Sequence, residues 1–130
     1  MIQFTVYGKA EPKGSMIKNR WGAVRDANPR LKDWHHVVAG AAQTYAKAHN
    51  VGFDQAVAVE LRFALPRPKS LPKKVVEHLK KPDLDKLTRA VLDALTGVLF
   101  KDDSQVVEIV ASKTYAADHP SVGIVVRPLS

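Results

Sequence analysis

Four aspartates stand in two pairs within residues 81–105, KPDLDKLTRAVLDALTGVLFKDDSQ: Asp83 with Asp85, then Asp102 with Asp103. The chain around them is basic, with 20 Lys and Arg against 13 Asp and Glu and a formal net charge of +7. Carboxylates on a surface that attracts polyanions repel the ligand unless a cation sits between them, so the pairing points to a metal ion. Oxygen donors, in a chain without cysteine and without a histidine pair at ligand spacing, suit Mg²⁺ or Mn²⁺ rather than Zn²⁺. Such an ion lowers the pKa of a bound water for in-line attack on phosphorus and stabilises charge on the leaving oxygen. Arg89 and Lys86 are close enough in sequence to counter the extra charge of the transition state.

Each aspartate also has a plain structural reading. Asp83 caps a helix, Asp85 offsets the positive end of its dipole, and Asp102, Asp103 and Ser104 are ordinary turn residues. Asp85 and Arg89 stand at i,i+4, a pair worth about 0.2–0.5 kcal/mol. Taken singly these readings suffice; the whole group in a basic chain favours the metal.

The elements that must position these side chains follow from periodicity. Residues 2–8 alternate apolar and polar as a half-buried strand does, and 9–29 read as a long loop. A helix then runs through 30–49, with Asn28 as cap, Pro29 in its first turn and Leu31, Trp34, Val38, Ala41, Ala42 and Tyr45 on one face. Asn50 and Gly52 mark its end. Residues 56–66 form a strand stopped by Pro66, and the basic loop after it has room for a short helix over 73–79. Leu84, Leu87, Val91, Leu95 and Val98 recur at spacings of three and four, a second helix that stops near Gly97. Strands follow over 106–116 and 122–128. The order predicts an α+β fold, a mixed four-stranded sheet with helices packed on it, as one domain over residues 1–130.

The second helix is about 20 Å long at 1.5 Å per residue. Asp102 and Asp103 therefore leave its far end, and a loop or a second subunit is needed to bring them to Asp83 and Asp85. Composition adds bounds: 45% apolar residues suffice for a core, and no run nears the length of a membrane span. The N-terminus lacks a signal peptide's apolar stretch, and with no cysteine the simplest expectation is an intracellular protein.

The stretch PDLDKLTRAVLDAL followed by DDSQV resembles the signature of the RusA-type Holliday-junction resolvases, a family of bacteria, phages and prophages. The shared features are D-x-D opening a helix, a basic residue six positions after its first Asp, L-D-A-L and D-D-S-Q-V. The resemblance implies a homodimeric, Mg²⁺- or Mn²⁺-dependent endodeoxyribonuclease that nicks two opposed strands of a four-way DNA junction, acting in a bacterial cytoplasm. It puts the catalytic acids at Asp83, Asp85 and Asp103, with Asp102 as accessory ligand. The family's basic catalytic residue falls on Arg89, where the better-known pattern has lysine. A guanidinium is not a general acid near neutral pH, so Arg89 is expected to hold phosphate electrostatically. Lys86 stands where the family often has asparagine.

On this reading the basic segments, seven Lys and Arg over 9–32 and eight over 67–89, hold DNA phosphates. The candidates are Lys13, Lys18, Arg20, Arg25, Lys69, Lys73, Lys74 and Lys86. Trp21 reads as a core or dimer contact before it reads as a stacking platform for an unpaired base. Asp93 shares Asp85's polar stripe and reads as structural, as do the isolated histidines. From another class, the competing reading is a basic DNA- or RNA-binding module without catalysis, including a junction binder that no longer cuts.

Overall fold

Alternation turns into a sheet with one wet face and one dry face. The computed structural model of the chain describes residues 1–14 and 16–129, apart from the side chains of Met16 and Arg25. Strands β1 (Ile2–Tyr7), β4 (Val57–Leu65), β5 (Val106–Tyr115) and β6 (Ser121–Pro128) form a sheet in the order β1-β6-β4-β5. β6 is antiparallel to both β1 and β4, while β5 lies parallel to β4, so the sheet is mixed as predicted. Ile2, Val6, Val59, Leu61, Phe63, Leu65, Val122, Ile124 and Val126 all enter the core. On strands β4 to β6, surface ion pairs Arg62–Glu60 (2.9 Å) and Arg127–Glu108 (3.1 Å) mark the solvated face.

Two helices cover the dry face. Helix α1 (Leu31–His49) buries Trp34, Val38 and Ala42; helix α2 (Leu84–Leu95) buries Leu87, Ala90, Val91, Ala94 and Leu95 and packs against both α1 and β5. α2 is the crossover of a parallel β4–α2–β5 unit, as parallel strands require. None of the helices is long and apolar enough to cross a membrane.

Three local expectations change. The segment 9–29 is not one loop, because β2 (Met16–Lys18) and β3 (Val24–Asp26) pair as an antiparallel hairpin. Helix α1 begins at Leu31, past Pro29; Asn28 Oδ1 accepts from Arg30 N at 3.1 Å just ahead of it, while the Asn28 side-chain amide also ties the hairpin root, donating to Pro12 O at 2.9 Å and Glu11 Oε1 at 3.2 Å. No helix forms over 73–79, where Pro72 opens a turn and Val76 and Leu79 stay exposed without an apolar surface to cover. Asn50 ends α1 in the left-handed conformation, as its position predicted.

Leu87 is fully buried on the inner stripe of α2. Leu87→Ala is expected to lower unfolding free energy by about 2–5 kcal/mol in urea denaturation; a loss below about 1 kcal/mol would mean that α2 is not anchored by that stripe.

Candidate metal and nucleic-acid site

The inner stripe of α2 fixes what its outer stripe presents. Asp85, Arg89 and Asp93 follow at intervals of four on the open side, with Thr88 and Leu92 at the margin. Together with Leu84, with Asp103 from the turn after α2 and with Ile109 and Ala111 from β5, they line an open trough of about 630 Å³. Neither Asp85 nor Arg89 has an ion-pair partner among the described residues, so the i,i+4 pair does not form. Asp93 is held by Lys13, whose ammonium lies 2.8 Å from Oδ2. A wider cavity of about 750 Å³ beside the end of α1 is lined by no carboxylate, so size alone does not mark the site.

Asp83 is placed apart from Asp85. It stands at the N-cap of α2, yet its side chain makes no capping bond. Its carboxylate meets Lys81 at 3.4 Å and Lys86 at 3.7 Å and faces a second cavity of about 340 Å³ that Lys9 and Lys13 also line. The capping explanation for Asp83 therefore fails, while the capping explanation for Asp102 succeeds. Asp102 Oδ1 accepts from Ser104 N at 2.9 Å and begins the short 3-10 turn Asp103–Gln105.

That turn is fastened by Gln105. Its Oε1 accepts from the amides of Lys101 (2.8 Å) and Asp102 (3.1 Å), and its Nε2 donates to the carbonyls of Phe53 (3.0 Å) and Gln55 (2.9 Å). Gln105 uses its full hydrogen-bonding capacity to hold the Asp102–Asp103 turn against the segment that leads into β4. The entry to α2 is fastened in the same way by Lys113 of β5. Its ammonium donates to Lys80 O at 2.7 Å and Pro82 O at 2.9 Å, bracketing the cis Lys81–Pro82 bond.

Electrostatics separate the two adjacent acids. Asp102 is held below the usual carboxylate range, chiefly by the hydrogen bond from the Ser104 amide. Asp103 is pushed up, first by its hydrogen bond with Asp102, then by slight desolvation and by the charges of Asp102 and Asp93. Among the described residues no three Asp, Glu or His side chains stand close enough to hold one ion. The donors of the trough are oxygens suited to a hard cation with its waters: the unpaired carboxylate of Asp85, that of Asp103 beside Asp102, and a third shared with Lys13. Thr88 is 8% exposed and its Oγ1 is buried without a hydrogen-bond partner.

The predicted phosphate-binding residues divide. Lys69, Lys73 and Lys74 are exposed on the loop after β4, and Lys18 and Arg20 are exposed on the hairpin. Lys86 joins the cavity at Asp83, Lys13 is committed to Asp93, and the side chain of Arg25 lies outside the described residues. Sequence reasoning missed Lys9 and Lys81 in that cavity, Thr88 in the trough and Lys113 beneath the loop. Asp93, read as structural, is held in the Lys13 ion pair.

Residues 7–127 match the family model described as Endodeoxyribonuclease RusA. The chain belongs to the RusA endodeoxyribonuclease family. It is also similar to an uncharacterized protein, YqaN, of Bacillus subtilis (strain 168), with 32% identity over 143 residues that span 99% of this chain and 97% of that protein. The match to the RusA family spans the trough, both aspartate pairs and the hairpin.

Two measurements probe this environment. Thr88→Val removes the orphaned hydroxyl at nearly constant shape, so the melting temperature should hold or rise. A clear drop in melting temperature would mean that the hydroxyl has a partner in the fold. His78 lies tilted against Tyr115 with ring centroids 4.5 Å apart, and its pKa is lowered by burial and then by Lys113. The unfolded chain therefore takes up the proton first, and stability present above about pH 6.5 is lost as pH falls below it. In urea titrations from about pH 7.5 to 5.5, His78→Phe should show a shallower loss than the wild type; parallel curves would remove His78 as the source.

Proposed function

We propose that this chain is a metal-dependent, structure-selective endodeoxyribonuclease that resolves four-way DNA junctions by paired, symmetric nicks. The observation that carries this reading is the trough, where three aspartates, a free guanidinium and a buried, unpartnered hydroxyl line one surface on a lysine-rich chain of the RusA family. Asp85 and Asp103, with Asp83 as the third acid of the family pattern, would hold Mg²⁺, or Mn²⁺ in its place, and Asp102 would orient Asp103. A divalent ion there would supply an activated water and neutralise charge on the leaving oxygen.

The chain's own residues do the rest. Arg89 would hold the scissile phosphate and offset its transition-state charge, without giving up a proton. Lys9, Lys81 and Lys86 around Asp83 would seat a neighbouring phosphate, and Lys18, Arg20, Lys69, Lys73 and Lys74 would carry the arms of the DNA. Cutting two opposed strands calls for two sites about a twofold axis, which a homodimer provides. The setting would be the bacterial cytoplasm, in recombination, repair or phage DNA processing.

Two observations favour a second reading, a junction binder that no longer cuts. Arg89 replaces the lysine of the family pattern, and among the described residues the acids do not converge on one point.

A synthetic four-way junction and a matched linear duplex, each with Mg²⁺ and with EDTA, separate the two. The wild type should nick the junction in pairs only with metal and spare the duplex, and Asp85→Asn should lower the rate by about a hundredfold or more. Tight junction binding without cleavage under Mg²⁺ or Mn²⁺ would establish the binder. Light scattering at micromolar concentration should give the mass of a dimer, and a strict monomer would sink symmetric resolution.

A further inference from the structure

The chain has two tryptophans, and the fold treats them oppositely. Trp34 is 4% exposed in the core, whereas Trp21 is 73% exposed at the tip of the β2–β3 hairpin. The tip is ordered by its own bonds. Asn19 N donates to Ala23 O at 2.9 Å, Gly22 N donates to Asn19 O at 3.0 Å, and Asn19 Oδ1 accepts from the amides of Trp21 (2.9 Å) and Ala23 (3.0 Å). Gly22 takes φ +86°, which a side chain would resist. An indole held outward on a turn closed by four hydrogen bonds does nothing for the core. Its surroundings are cationic: the Arg20 guanidinium carbon lies 3.9 Å from the ring centroid, and Lys18 precedes it on β2.

The root of the hairpin is tied to the site. Gly14 N donates to Asp26 Oδ1 at 2.9 Å, an approach so close that a Cβ on Gly14 would meet that oxygen at 2.7 Å. One residue earlier, Lys13 N donates to Lys86 O at 3.1 Å while its ammonium grips Asp93 in the trough. The hairpin is thus an arm whose base is fastened to α2 and whose head is an aromatic ring beside a guanidinium. That combination suits nucleic acid, with the ring meeting a base and the cation meeting a phosphate.

We propose that the β2–β3 hairpin is a branch-point probe, in which Trp21, backed by Arg20, stacks on a nucleobase that has lost its stacking neighbour. Within a continuous duplex both faces of every base are covered, so the ring finds a target only where stacking is interrupted. The inference rests on the DNA-directed reading above and supplies it with a source of selectivity for branched over linear DNA.

The test uses the full chain in EDTA, so that no strand is cut, with 2-aminopurine placed either at the crossing of a four-way junction or in the middle of one arm. Binding of wild type should change the fluorescence at the crossing and not in the arm. Trp21→Ala should abolish that change and weaken junction binding about tenfold, with Trp21→Phe near wild type and duplex affinity within about twofold. Junction affinity unchanged in Trp21→Ala, with wild type still preferring junctions, would overturn the probe and leave the nuclease reading standing. No preference of wild type for junctions would defeat both. A Trp21→Ala protein that becomes monomeric and loses duplex and junction binding alike would assign the ring to a contact between chains instead.

Discussion

The burial of one stripe of α2 governs the rest of the structure. Leu87, Ala90, Val91, Ala94 and Leu95 are removed from water against the sheet and α1, and this sets the rotation of the helix about its axis. Turning the helix by one residue would carry a carboxylate toward the core, where an unpaired charge costs several kcal/mol or neutralises. Apolar burial therefore holds Asp85, Arg89 and Asp93 on the open side at spacings of four. It also leaves Asp93 on the trough that Asp103 enters, where Asp103 is pushed up first by its hydrogen bond with Asp102 and to a lesser degree by the charge of Asp93.

The segments at either end of α2 are irregular, and their backbone groups cannot be satisfied by regular pairing. Distant side chains supply the bonds. Lys113 reaches the carbonyls of Lys80 and Pro82, Gln105 reaches those of Phe53 and Gln55, and Asn28 reaches Pro12. Each bond crosses between segments far apart in the chain, and the ammonium bonds from Lys113 gain from charge. The acidic ends of α2 are thus positioned by side chains that need not touch a substrate. Such residues look unremarkable in the sequence and decide whether the aspartates point anywhere useful.

The site is strung out along the helix more than gathered at its mouth. Asp83 turns to the lysine cavity, Asp85 and Arg89 occupy the middle, and Asp93, held by Lys13, and Asp103 lie toward the other end. At 1.5 Å per residue, Asp85 and Asp93 start about 12 Å apart along the axis. A helix of this length between the two acidic pairs makes that separation inevitable within one chain. The lysines around Asp83 and the guanidinium between the acids lie where a phosphate backbone following the helix would meet them in turn.

By itself the sequence determined the α+β class, the strands over β1, β4, β5 and β6 and both main helices, because alternation and the three-to-four spacing are local signals. The match over PDLDKLTRAVLDAL and DDSQV carried the family. The hairpin within 9–29 escaped because its three-residue strands are too short to show a period, and the helix expected over 73–79 failed because nothing lies beneath it to bury. Only the tertiary structure decided that Asp102 caps a turn, that Asp93 and Asp103 line one trough, that Lys13 is spent on an ion pair and that Trp21 faces solvent. Those outcomes depend on contacts between residues as far apart as 80 positions, Lys13 with Asp93, and no local pattern records which distant segment arrives.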